Sequence, residues 1–399
     1  MKVIQIVPSI AEESSGPSYT VPALCRGLAA NGCDVSLSVL DPVPKRNFGF
    51  AVHGYSRRRF PHPALGMSPE MLAGLTAEVV GADVVHNSSL WMFPNVYGWA
   101  AVEKLRGDRS YSGKIPKLVM QPRGTFSQWA LKRHRFRKCV FGHLCGQYDA
   151  LKATDMWVAT AESEADEIRA LGYKQPICVL PNGVDLPCVS SNPHSGLTTK
   201  RRMFYLSRIH PKKNVGMLIE VWAKLEKDFG DWSLSIVGPD KNNSYADDLK
   251  AFAVSLGCRR VVFEGELNGE EKSLFMADSD CMVLPTLSEN FGMVVAESLA
   301  AGTPVICSHG APWSGLDGGA GIGCGKSGWW VETTPEAFER AMREAMSMSR
   351  VELKSLGANG REWMNRDFSW NGIGKKMKTT YEWLLDQDNV KLPEWVKVD

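Results

Sequence analysis

Two glutamates bracket a glycine turn in residues 288–306, which read SENFGMVVAESLAAGTPVI. Glu289 precedes the Asn-Phe-Gly step, and Glu297 lies about a turn and a half inside the apolar segment that follows. A loop that enters a helix presents free N–H groups and the positive end of the helix dipole, which favours phosphate. Carboxylates there can accept hydrogen bonds from sugar or ribose hydroxyls. The alternative interpretation is an ordinary helix start in which Glu297 is a partly exposed surface residue.

A second candidate site follows the run MFYLSR at residues 203–208. Arg208 ends this predicted strand, and Lys213 follows across a loop that contains proline. An arginine and a lysine that converge at the end of a strand can neutralise a diphosphate, the arginine as a planar fork and the lysine as a point charge. A solvated loop would carry the same charges, so this pattern alone leaves both interpretations open.

Short β-rich runs alternate with longer helical segments in both halves of the chain. This alternation predicts an α/β fold class with parallel, doubly wound sheets and helices on both faces, that is, two Rossmann-like domains. The predicted strands are VIQIV (3–7), VSLSVL (35–40), DVVHN (83–87), KLVMQ (117–121), MWVAT (156–160), ICVLP (177–181), MFYLSR (203–208), LSIVGP (234–239), VVFEG (261–265), CMVLP (281–285), PVICS (304–308) and GWWVE (328–332).

The change from the first series of strands to the second falls in CVSSNPHSGLTTKRR, a linker rich in Ser, Thr, Pro and Gly. We predict an N-terminal domain of residues 1–188, a C-terminal domain of residues 189–368, and a helix in residues 369–399 that crosses back to the N-terminal domain. Ligands of open parallel sheets bind beyond the carboxyl ends of the strands. Two facing sheets are therefore expected to place a site in the cleft between the domains.

Composition limits the class of protein. The 399 residues are 44% hydrophobic and 23% charged, which is typical of a globular protein, and the net charge of +2 does not indicate a nucleic-acid partner. No apolar run is long enough to span a membrane, and the N-terminal run breaks at Pro8, too early for a signal peptide. The ten cysteines are scattered without a CxxC pair, so neither zinc nor a disulfide framework is expected, and we expect a cytoplasmic protein.

Five motifs in order, SRIHPKKN, IVGPD, VVFEGEL, LPTLSENFGMVVAESLAAGTPVI and GWWVE, resemble the retaining GT-B glycosyltransferases of family 4, also called glycosyl transferases group 1. The resemblance implies that Arg208 and Lys213 bind the donor diphosphate, that Glu289 contacts the donor sugar, and that Glu297 contacts the ribose. Glu289, Arg208 and Lys213 are the implied catalytic set. The implied donor- and nucleotide-binding residues are Gly16, Gly238, Glu266, Leu267, Asn290, Phe291, Gly292, Met293 and Glu297.

The N-terminal half joins the resemblance through IVPSIAEESSGPSYTVPALCRGLAANGCDV, LVMQPRGTFSQWAL, VATAESEADEI and VLPNGVDLP. Many relatives have His-Gly where this chain has Arg123-Gly124, and the PRG form resembles a subset of bacterial polysaccharide transferases. Arg123 is a candidate contact of the donor sugar or its phosphate, or a brace for its loop. His86 is a further candidate sugar or acceptor contact, against the alternative of a structural histidine. Asn214 stands where relatives commonly have glycine after the lysine.

The resemblance implies transfer of a hexose from a UDP- or GDP-linked sugar to a glycan, with retention of anomeric configuration and without a metal or other cofactor. The expected acceptor is a lipid-linked oligosaccharide, such as one on undecaprenyl diphosphate, in O-antigen, lipopolysaccharide or exopolysaccharide biosynthesis. Two alternatives remain open at this point. One is a nucleotide-sugar epimerase on the same fold, and the other is a non-catalytic sugar-nucleotide binding protein.

Two other patterns are not expected to carry chemistry. Asp278-Ser279-Asp280 is a DxD, which holds a metal in another glycosyltransferase fold, but it precedes the strand CMVLP and so lies at the opposite edge from the chemistry. The run GGAGIGCGKSG, residues 318–328, lacks the glycine spacing of a P-loop and is followed by a strand. A nucleotide-hydrolysing or dehydrogenase function is therefore not predicted.

Residues 125–144, TFSQWALKRHRFRKCVFGHL, predict a basic amphipathic helix. Trp129, Phe136, Val140 and Leu144 fall near helical spacing, with five Lys or Arg among residues 132–138. Such a helix can lie on an anionic membrane surface at the inner face of the cytoplasmic membrane, with each cation contributing about 1 kcal/mol. The alternative is a solvated helix whose aromatic side chains enter the core.

Overall fold

The computed structural model describes residues 1–11, 16–60, 62–187, 200–240, 244–318, 323 and 325–398. They form two compact units, one of Met1–Gly183 with Trp370–Asp399 and the other of Val184–Ser369, called unit 1 and unit 2 below. The chain passes between the units at residues 183/184 and 369/370, compared with predicted boundaries at 188/189 and 368/369. The helix after Trp370 thus belongs to unit 1.

Unit 1 contains a sheet of eight strands in the order β14-β7-β6-β5-β4-β1-β2-β3, parallel except for the antiparallel pair β14–β7. Its strands are β1 Lys2–Ile6, β2 Asp34–Leu40, β3 Ala51–Tyr55, β4 Val84–Ser88, β5 Lys117–Gln121, β6 Met156–Ala159, β7 Ile177–Val179 and β14 Val396–Lys397. Its helices are α1 Gly16–Ala30, α2 Pro69–Glu78, α3 Pro94–Gly107, α4 Gln128–Lys132, α5 Arg135–Leu144, α6 Gln147–Lys152, α7 Glu162–Ala170 and α14 Trp370–Leu385.

Unit 2 contains a fully parallel sheet of six strands in the order β10-β9-β8-β11-β12-β13. Its strands are β8 Arg201–Leu206, β9 Trp232–Val237, β10 Val261–Gly265, β11 Cys281–Leu284, β12 Val305–Ser308 and β13 Gly328–Val331. Its helices are α8 Val215–Leu225, α9 Tyr245–Ser255, α10 Gly269–Ala277, α11 Met293–Ala300, α12 Pro335–Ser347 and α13 Arg350–Asp367.

Each predicted strand is present, within a few residues of its expected ends. The central strands of unit 2 are apolar because helices cover both faces of the sheet, as in β11, whose four residues are all buried. Two helix starts of unit 2 show standard capping chemistry. Ser349 and Glu352 form a reciprocal capping box at α13, and Thr334 caps α12 with Pro335 in its first turn.

The C-terminal helix α14 is fixed to α1 by both apolar and polar contacts. Trp370 packs edge-on against Tyr19, with the ring centroids 6.4 Å apart, and Asn31 Nδ2 donates to Asn371 Oδ1 at 3.0 Å. Lys378 Nζ donates to the carbonyl of Asn31 at 2.9 Å. These contacts make α14 part of the helical layer that covers the unit 1 sheet.

Residues 125–144 differ from the prediction of one continuous helix. They form α4 and α5, separated at Arg133 and His134, because His134 adopts a left-handed backbone with φ +55° that ends the helical path. None of the helices in the described part of the chain combines the length and apolar character required to span a membrane. The eight cysteines within that part are free thiols.

Candidate active site

The order of strands in unit 2 reverses between β8 and β11, which pair directly at the centre of the sheet. In open α/β sheets such a reversal leaves a crevice beyond the carboxyl ends of the two strands, where ligands bind. Arg208 and Lys213 follow β8, and Glu289 follows β11. The topology therefore brings the three predicted catalytic residues to one edge of one sheet.

Hydrogen bonds join the loops at this edge. The amide of Leu287 donates to the carbonyl of Lys212 at 2.9 Å, so the loop after β11 is attached to the loop after β8. The amide of Glu289 donates to the carbonyl of Gly310, after β12, at 2.7 Å. The short 3₁₀ turn Pro211–Lys213 ends at Asn214, which takes the left-handed backbone (φ +59°) that a glycine would favour. Asparagine tolerates this conformation, so the missing glycine does not disrupt the loop.

Lys213 and Glu289 form an ion pair between Nζ and Oε1. Lys213 is only 7% exposed, so the pair lies at the floor of the crevice rather than on the open surface. Arg208 is exposed, and its guanidinium donates to none of the residues that the structure describes. Burial raises the pKa of the Tyr205 phenol well above its ordinary value, and the charges of Glu289 and Arg208 also act on it in opposite directions. Both charged groups are therefore close to Tyr205.

The turn after Glu289 supplies backbone donors. Gly292 adopts φ +80° at the start of α11, a conformation that glycine takes without steric cost. Within the described residues, the amides of Gly292 and Met293 donate no hydrogen bond. Asn290 is partly exposed and Phe291 is buried. Two free N–H groups at the positive end of a helix, beside a lysine and an arginine, form an arrangement suited to an anion such as phosphate.

Glu297 lies on α11 and is partly exposed, and its Oε1 is 2.7 Å from Nζ of Lys272 on α10. Glu297 was predicted from the sequence but Lys272 was not, because a lysine in a helix of mixed polarity has no distinctive spacing. This ion pair holds the carboxylate in place while leaving it accessible to a hydroxyl ligand.

The remaining donor-site predictions in unit 2 cluster at the ends of β9 and β10. The amide of Gly238 donates to the carbonyl of Gly265 at 2.6 Å, and a Cβ at Gly238 would lie 1.9 Å from the carbonyl oxygen of Ser207. Only glycine permits this close approach to the loop that carries Arg208. Glu266 is exposed and Leu267 is partly exposed directly after β10. These residues thus adjoin the same edge as Arg208.

His86, predicted to follow its strand as a candidate sugar or acceptor contact, lies inside β4 and is fully buried. Its Nδ1 is 2.6 Å from Tyr381 Oη and 3.2 Å from Gln5 Nε2. Burial lowers the pKa of His86 to about 3, with a further contribution from the positive charge of Arg123. The prediction that His86 contacts a sugar or acceptor is therefore wrong, because a fully buried side chain offers no surface to a sugar.

Arg123 has a left-handed backbone with φ +54° and is partly buried. Its Nη1 donates to Thr20 Oγ1 on α1 at 2.8 Å and to Asn182 Oδ1 at 3.4 Å. Burial lowers its pKa to about 10, so the guanidinium remains charged at neutral pH. These contacts agree with the interpretation of Arg123 as a brace for its loop. Gly16, the other predicted residue of unit 1, is the exposed first residue of α1.

Two features lie away from this edge. Asp280, at the start of β11, accepts from Arg350 Nε at 3.0 Å and from the amide of Arg202 at 2.8 Å, so its carboxylate is already engaged. A cavity of about 740 Å³ in unit 1 lies between α5, α6 and the loop before β7, and none of the predicted site residues lines it. Its lining residues are Gly142, His143, Tyr148, Asp149, Lys152 and residues 171–175. Because ligands of such sheets bind where strands end, the cavity is not the site of the predicted chemistry. Within the described ranges, no group of three histidine, cysteine, aspartate or glutamate side chains is placed to hold a metal ion.

The chain matches two family models in sequence. Residues 14–187 match Glycosyltransferase Family 4, and residues 190–363 match Glycosyl transferases group 1. The D-inositol 3-phosphate glycosyltransferase of Actinosynnema mirum is 26% identical over 409 aligned residues, covering 92% of this chain and 92% of that protein.

The GDP-mannose-dependent alpha-(1-6)-phosphatidylinositol monomannoside mannosyltransferase of Mycolicibacterium smegmatis is 29% identical over 227 residues. That match covers 52% of this chain and 56% of the relative. Among solved structures, Anabaena HepE in complex with UDP and glucose superposes with a TM-score of 0.71 at 16% identity, covering 96% of this chain and 99% of that one.

Proposed function

Because the chain belongs to the glycosyltransferases of Family 4 and group 1 and has their GT-B fold, we propose that it transfers a hexose from a nucleotide diphosphate sugar to a glycan with retention of anomeric configuration. The observation that carries the proposal is the grouping at the end of β8 and β11: Arg208, the Lys213–Glu289 ion pair, and the free amides of Gly292 and Met293. The two cations can offset the negative charge of a diphosphate, and the two amides can donate to its oxygen atoms.

In the proposed reaction, the bond between the anomeric carbon and the diphosphate oxygen breaks while the acceptor hydroxyl forms a bond on the same face of the sugar. The acceptor's proton passes to the leaving phosphate oxygen. Negative charge grows on the diphosphate, and Arg208, Lys213 and the two amides stabilise it where it develops. The lysine ammonium has three donors, so Lys213 can hold Glu289 and a phosphate oxygen at once. Glu289 in turn orients the sugar hydroxyls.

We propose that this cationic set serves in place of a divalent metal and that no cofactor is required, because the two cations and the helix start neutralise the leaving group. Glu297 contacts the ribose hydroxyls, and Gly238, Glu266 and Leu267 border the base. Unit 2 is then the donor-binding domain and unit 1 the acceptor-binding domain. The base stays open between uridine and guanosine, since one similar protein is named for GDP-mannose and another is solved with UDP.

For the acceptor we propose a lipid-linked glycan, such as an oligosaccharide on undecaprenyl diphosphate, in bacterial O-antigen, lipopolysaccharide or exopolysaccharide assembly at the cytoplasmic face of the membrane. Support comes from the resemblance of the PRG segment to polysaccharide transferases and from a relative named for a phosphatidylinositol-based acceptor. A soluble acceptor is the competing possibility, because another relative is named for D-inositol 3-phosphate.

The surface of α4 and α5 supports a peripheral membrane contact. Four apolar side chains there are exposed, two of them by 81% (Phe136 and Leu144), and the other two are Trp129 and Val140. Lys132, Arg133, Arg135 and Arg137 are exposed beside them. Apolar side chains amid cations suit the boundary of an anionic bilayer, where the apolar groups enter the interface and the cations pair with lipid phosphates.

The central test combines donor binding with two substitutions. A thermal-shift panel of UDP, GDP and their sugars identifies the donor, which at one hundred times its dissociation constant should add about 2.7 kcal/mol to the free energy of unfolding. Lys213→Ala and Glu289→Ala should each lower kcat/KM by about 100- to 1,000-fold. Lys224→Ala is the matched control, because it breaks an exposed ion pair with Glu339 (3.4 Å) on the same unit, and its activity should be unchanged.

Near-normal turnover in Lys213→Ala or Glu289→Ala would remove that residue from the mechanism. Donor incubated alone separates the alternatives, because an epimerase converts it whereas a transferase at most hydrolyses it slowly. A protein that binds donor but shows no turnover with any glycan would be a binding protein instead.

Membrane contact is tested by co-sedimentation with vesicles. We expect binding to phosphatidylglycerol-containing vesicles but not to pure phosphatidylcholine, and weakening by salt because exposed charges are screened. The double variant Phe136→Ser/Leu144→Ser should lose binding. Val254→Ser/Val351→Ser, which removes two similarly exposed apolar side chains (75% and 79%) from unit 2, should retain it. Equal binding by all three proteins would contradict the proposed contact.

A further inference from the structure

Trp313 packs against the turn before α11, which carries the amides of Gly292 and Met293. It follows β12, is 2% exposed, and its indole Nε1 donates to the carbonyl of Phe291 at 2.6 Å. The Phe291 ring packs on the indole with the centroids 5.0 Å apart. One side chain therefore holds both the backbone and the ring of Phe291.

The hydrogen bond to Phe291 sets the direction of the next amide. In a trans peptide the C=O and the following N–H lie in one plane and point in opposite directions. Because the carbonyl of Phe291 points to the buried indole, the N–H of Gly292 points away from it. This amide has no acceptor among the residues that the structure describes, and it stands at the start of α11.

The indole itself is held by aromatic packing. Trp363 meets it edge-on with the centroids 5.7 Å apart, and Phe368 lies at 5.5 Å. A Cβ at Gly292 would stand 3.4 Å from Trp313 Nε1, so the turn sits close against the indole. Without the N–H donor, the peptide between Phe291 and Gly292 would lose the hydrogen bond that orients its carbonyl inward, and with it the constraint that directs the Gly292 amide outward.

We propose that Trp313 is a positioning residue for the donor's diphosphate: its indole N–H fixes the 291–292 peptide so that the Gly292 amide faces the phosphate oxygens. The inference rests on the proposed function, since it assumes a nucleoside diphosphate at this turn. It assigns to Trp313 an effect on phosphate affinity and none on recognition of the base or ribose. The contacts of its indole are with Phe291, Trp363 and Phe368, and not with the ends of β9 and β10, proposed to border the base, or with Glu297, proposed to contact the ribose.

Trp313→Phe tests this, since phenylalanine keeps an aromatic ring in the cage but lacks the N–H. Trp313→Leu is a second variant without the donor, so the result does not depend on one replacement. Calorimetry with UDP and GDP should show about tenfold weaker binding of whichever diphosphate the wild type binds, as expected for one lost hydrogen bond. Ligand-observed NMR with uridine or guanosine should show unchanged affinity for the nucleoside, which carries no phosphate.

Trp363→Phe is the control, because it makes the same replacement in the same aromatic cluster without a bond to the turn, and its diphosphate affinity should change less than twofold. The kcat/KM for the donor should fall in Trp313→Phe, through a lower kcat as well as a higher KM, because the Gly292 amide is proposed to stabilise the charge that develops on the diphosphate. Unchanged diphosphate affinity in both Trp313 variants overturns the proposal, as does an equal loss of nucleoside and diphosphate affinity. A wild-type protein that binds neither diphosphate overturns the proposed function instead, and the role of Trp313 falls with it.

Discussion

The two sheets share the same reversal of strand order around their first strands, β1 in unit 1 and β8 in unit 2, but they place polar side chains differently. In unit 1, Gln5 and His86 lie within neighbouring strands and point to Tyr381 on α14. In unit 2, the central residues of β8 and β11 are apolar, and Arg208, Lys213 and Glu289 follow the strands. A polar group inside a covered strand must find its partner in the core, whereas one beyond the strand's end can meet a ligand.

The largest expected difference is between the effects of replacing two arginines, one in each unit, on activity and on stability. Arg208→Ala should lower kcat/KM by about 100-fold, because it removes a cation from the developing charge, and should change the free energy of unfolding by less than about 0.5 kcal/mol, because the side chain is exposed. Arg123→Ala should instead cost about 1–3 kcal/mol of stability, because it removes the donor from which the partly buried oxygens Thr20 Oγ1 and Asn182 Oδ1 accept.

Urea unfolding and steady-state kinetics on both arginine variants measure this contrast. If Arg208→Ala were destabilised as much as Arg123→Ala, the exposed cation would have a structural role, and the contrast between the units would fail.

The buried histidine of unit 1 should make the free energy of unfolding depend on pH. The folded-state pKa of His86 is about 3, below its ordinary 6.5, because burial and Arg123 disfavour the charged form. Between these values the unfolded chain binds a proton that the folded chain does not, so this group makes stability fall as pH falls below about 6.5, by about 1.4 kcal/mol per pH unit. The contribution is fully present above pH 6.5.

Urea titrations at pH 7, 6 and 5 on wild type and His86→Gln check this slope. Glutamine is neutral at each pH and can still bond to Tyr381, so the variant should lose stability less steeply with acid. Parallel slopes for the two proteins would show that His86 does not carry the dependence. Donor binding at pH 7 should be similar in both, because His86 is not at the ligand edge.

The smallest expected effect concerns Lys272. Lys272→Ala retains the Glu297 carboxylate but removes the cation that holds it in position, and a partly exposed ion pair is worth at most about 1 kcal/mol. We therefore expect about a threefold rise in the donor KM with kcat unchanged. Lys326→Ala, which breaks an exposed pair with Glu344 (3.0 Å), is the control. A loss of thirtyfold or more in kcat/KM would mean that Lys272 contacts the donor itself.

Strand positions were predictable because buried parallel strands leave short apolar runs bounded by turns. Two short edge strands, β3 and β14, were missed, since AVHGY has mixed exposure and VK is only two residues long. The predicted helix of residues 125–144 is interrupted at His134, which has a left-handed backbone. The spacing of apolar residues did not reveal this interruption, because it depends on the backbone conformation of a single residue. Its exposed Phe136 excludes the interpretation that this aromatic enters the core.

Some residues of the candidate site could likewise be predicted from the sequence, and others could not. Arg208, Lys213 and Glu289 stood out in the sequence because they are charged residues in loops that follow apolar strands. Glu297 stood out because it is a carboxylate in an otherwise apolar helix start, eight residues after Glu289. Trp313 and Lys272 did not, since their roles depend on contacts with residues distant in sequence. The available signal in the sequence was a tryptophan after β12. Its role becomes apparent only from the hydrogen bond that it donates to the carbonyl of Phe291.

The sequence by itself determined the class of fold, the order of strands along the chain and the residue types available at the strand ends, because apolar periodicity and turn chemistry are local properties. Tertiary structure alone decided which of those residues meet. It paired Lys213 with Glu289, turned His86 inward to Tyr381, and set the direction of the Gly292 amide through Trp313. Such outcomes depend on which strands become neighbours and on how closely their loops pack, and these are properties of the whole fold.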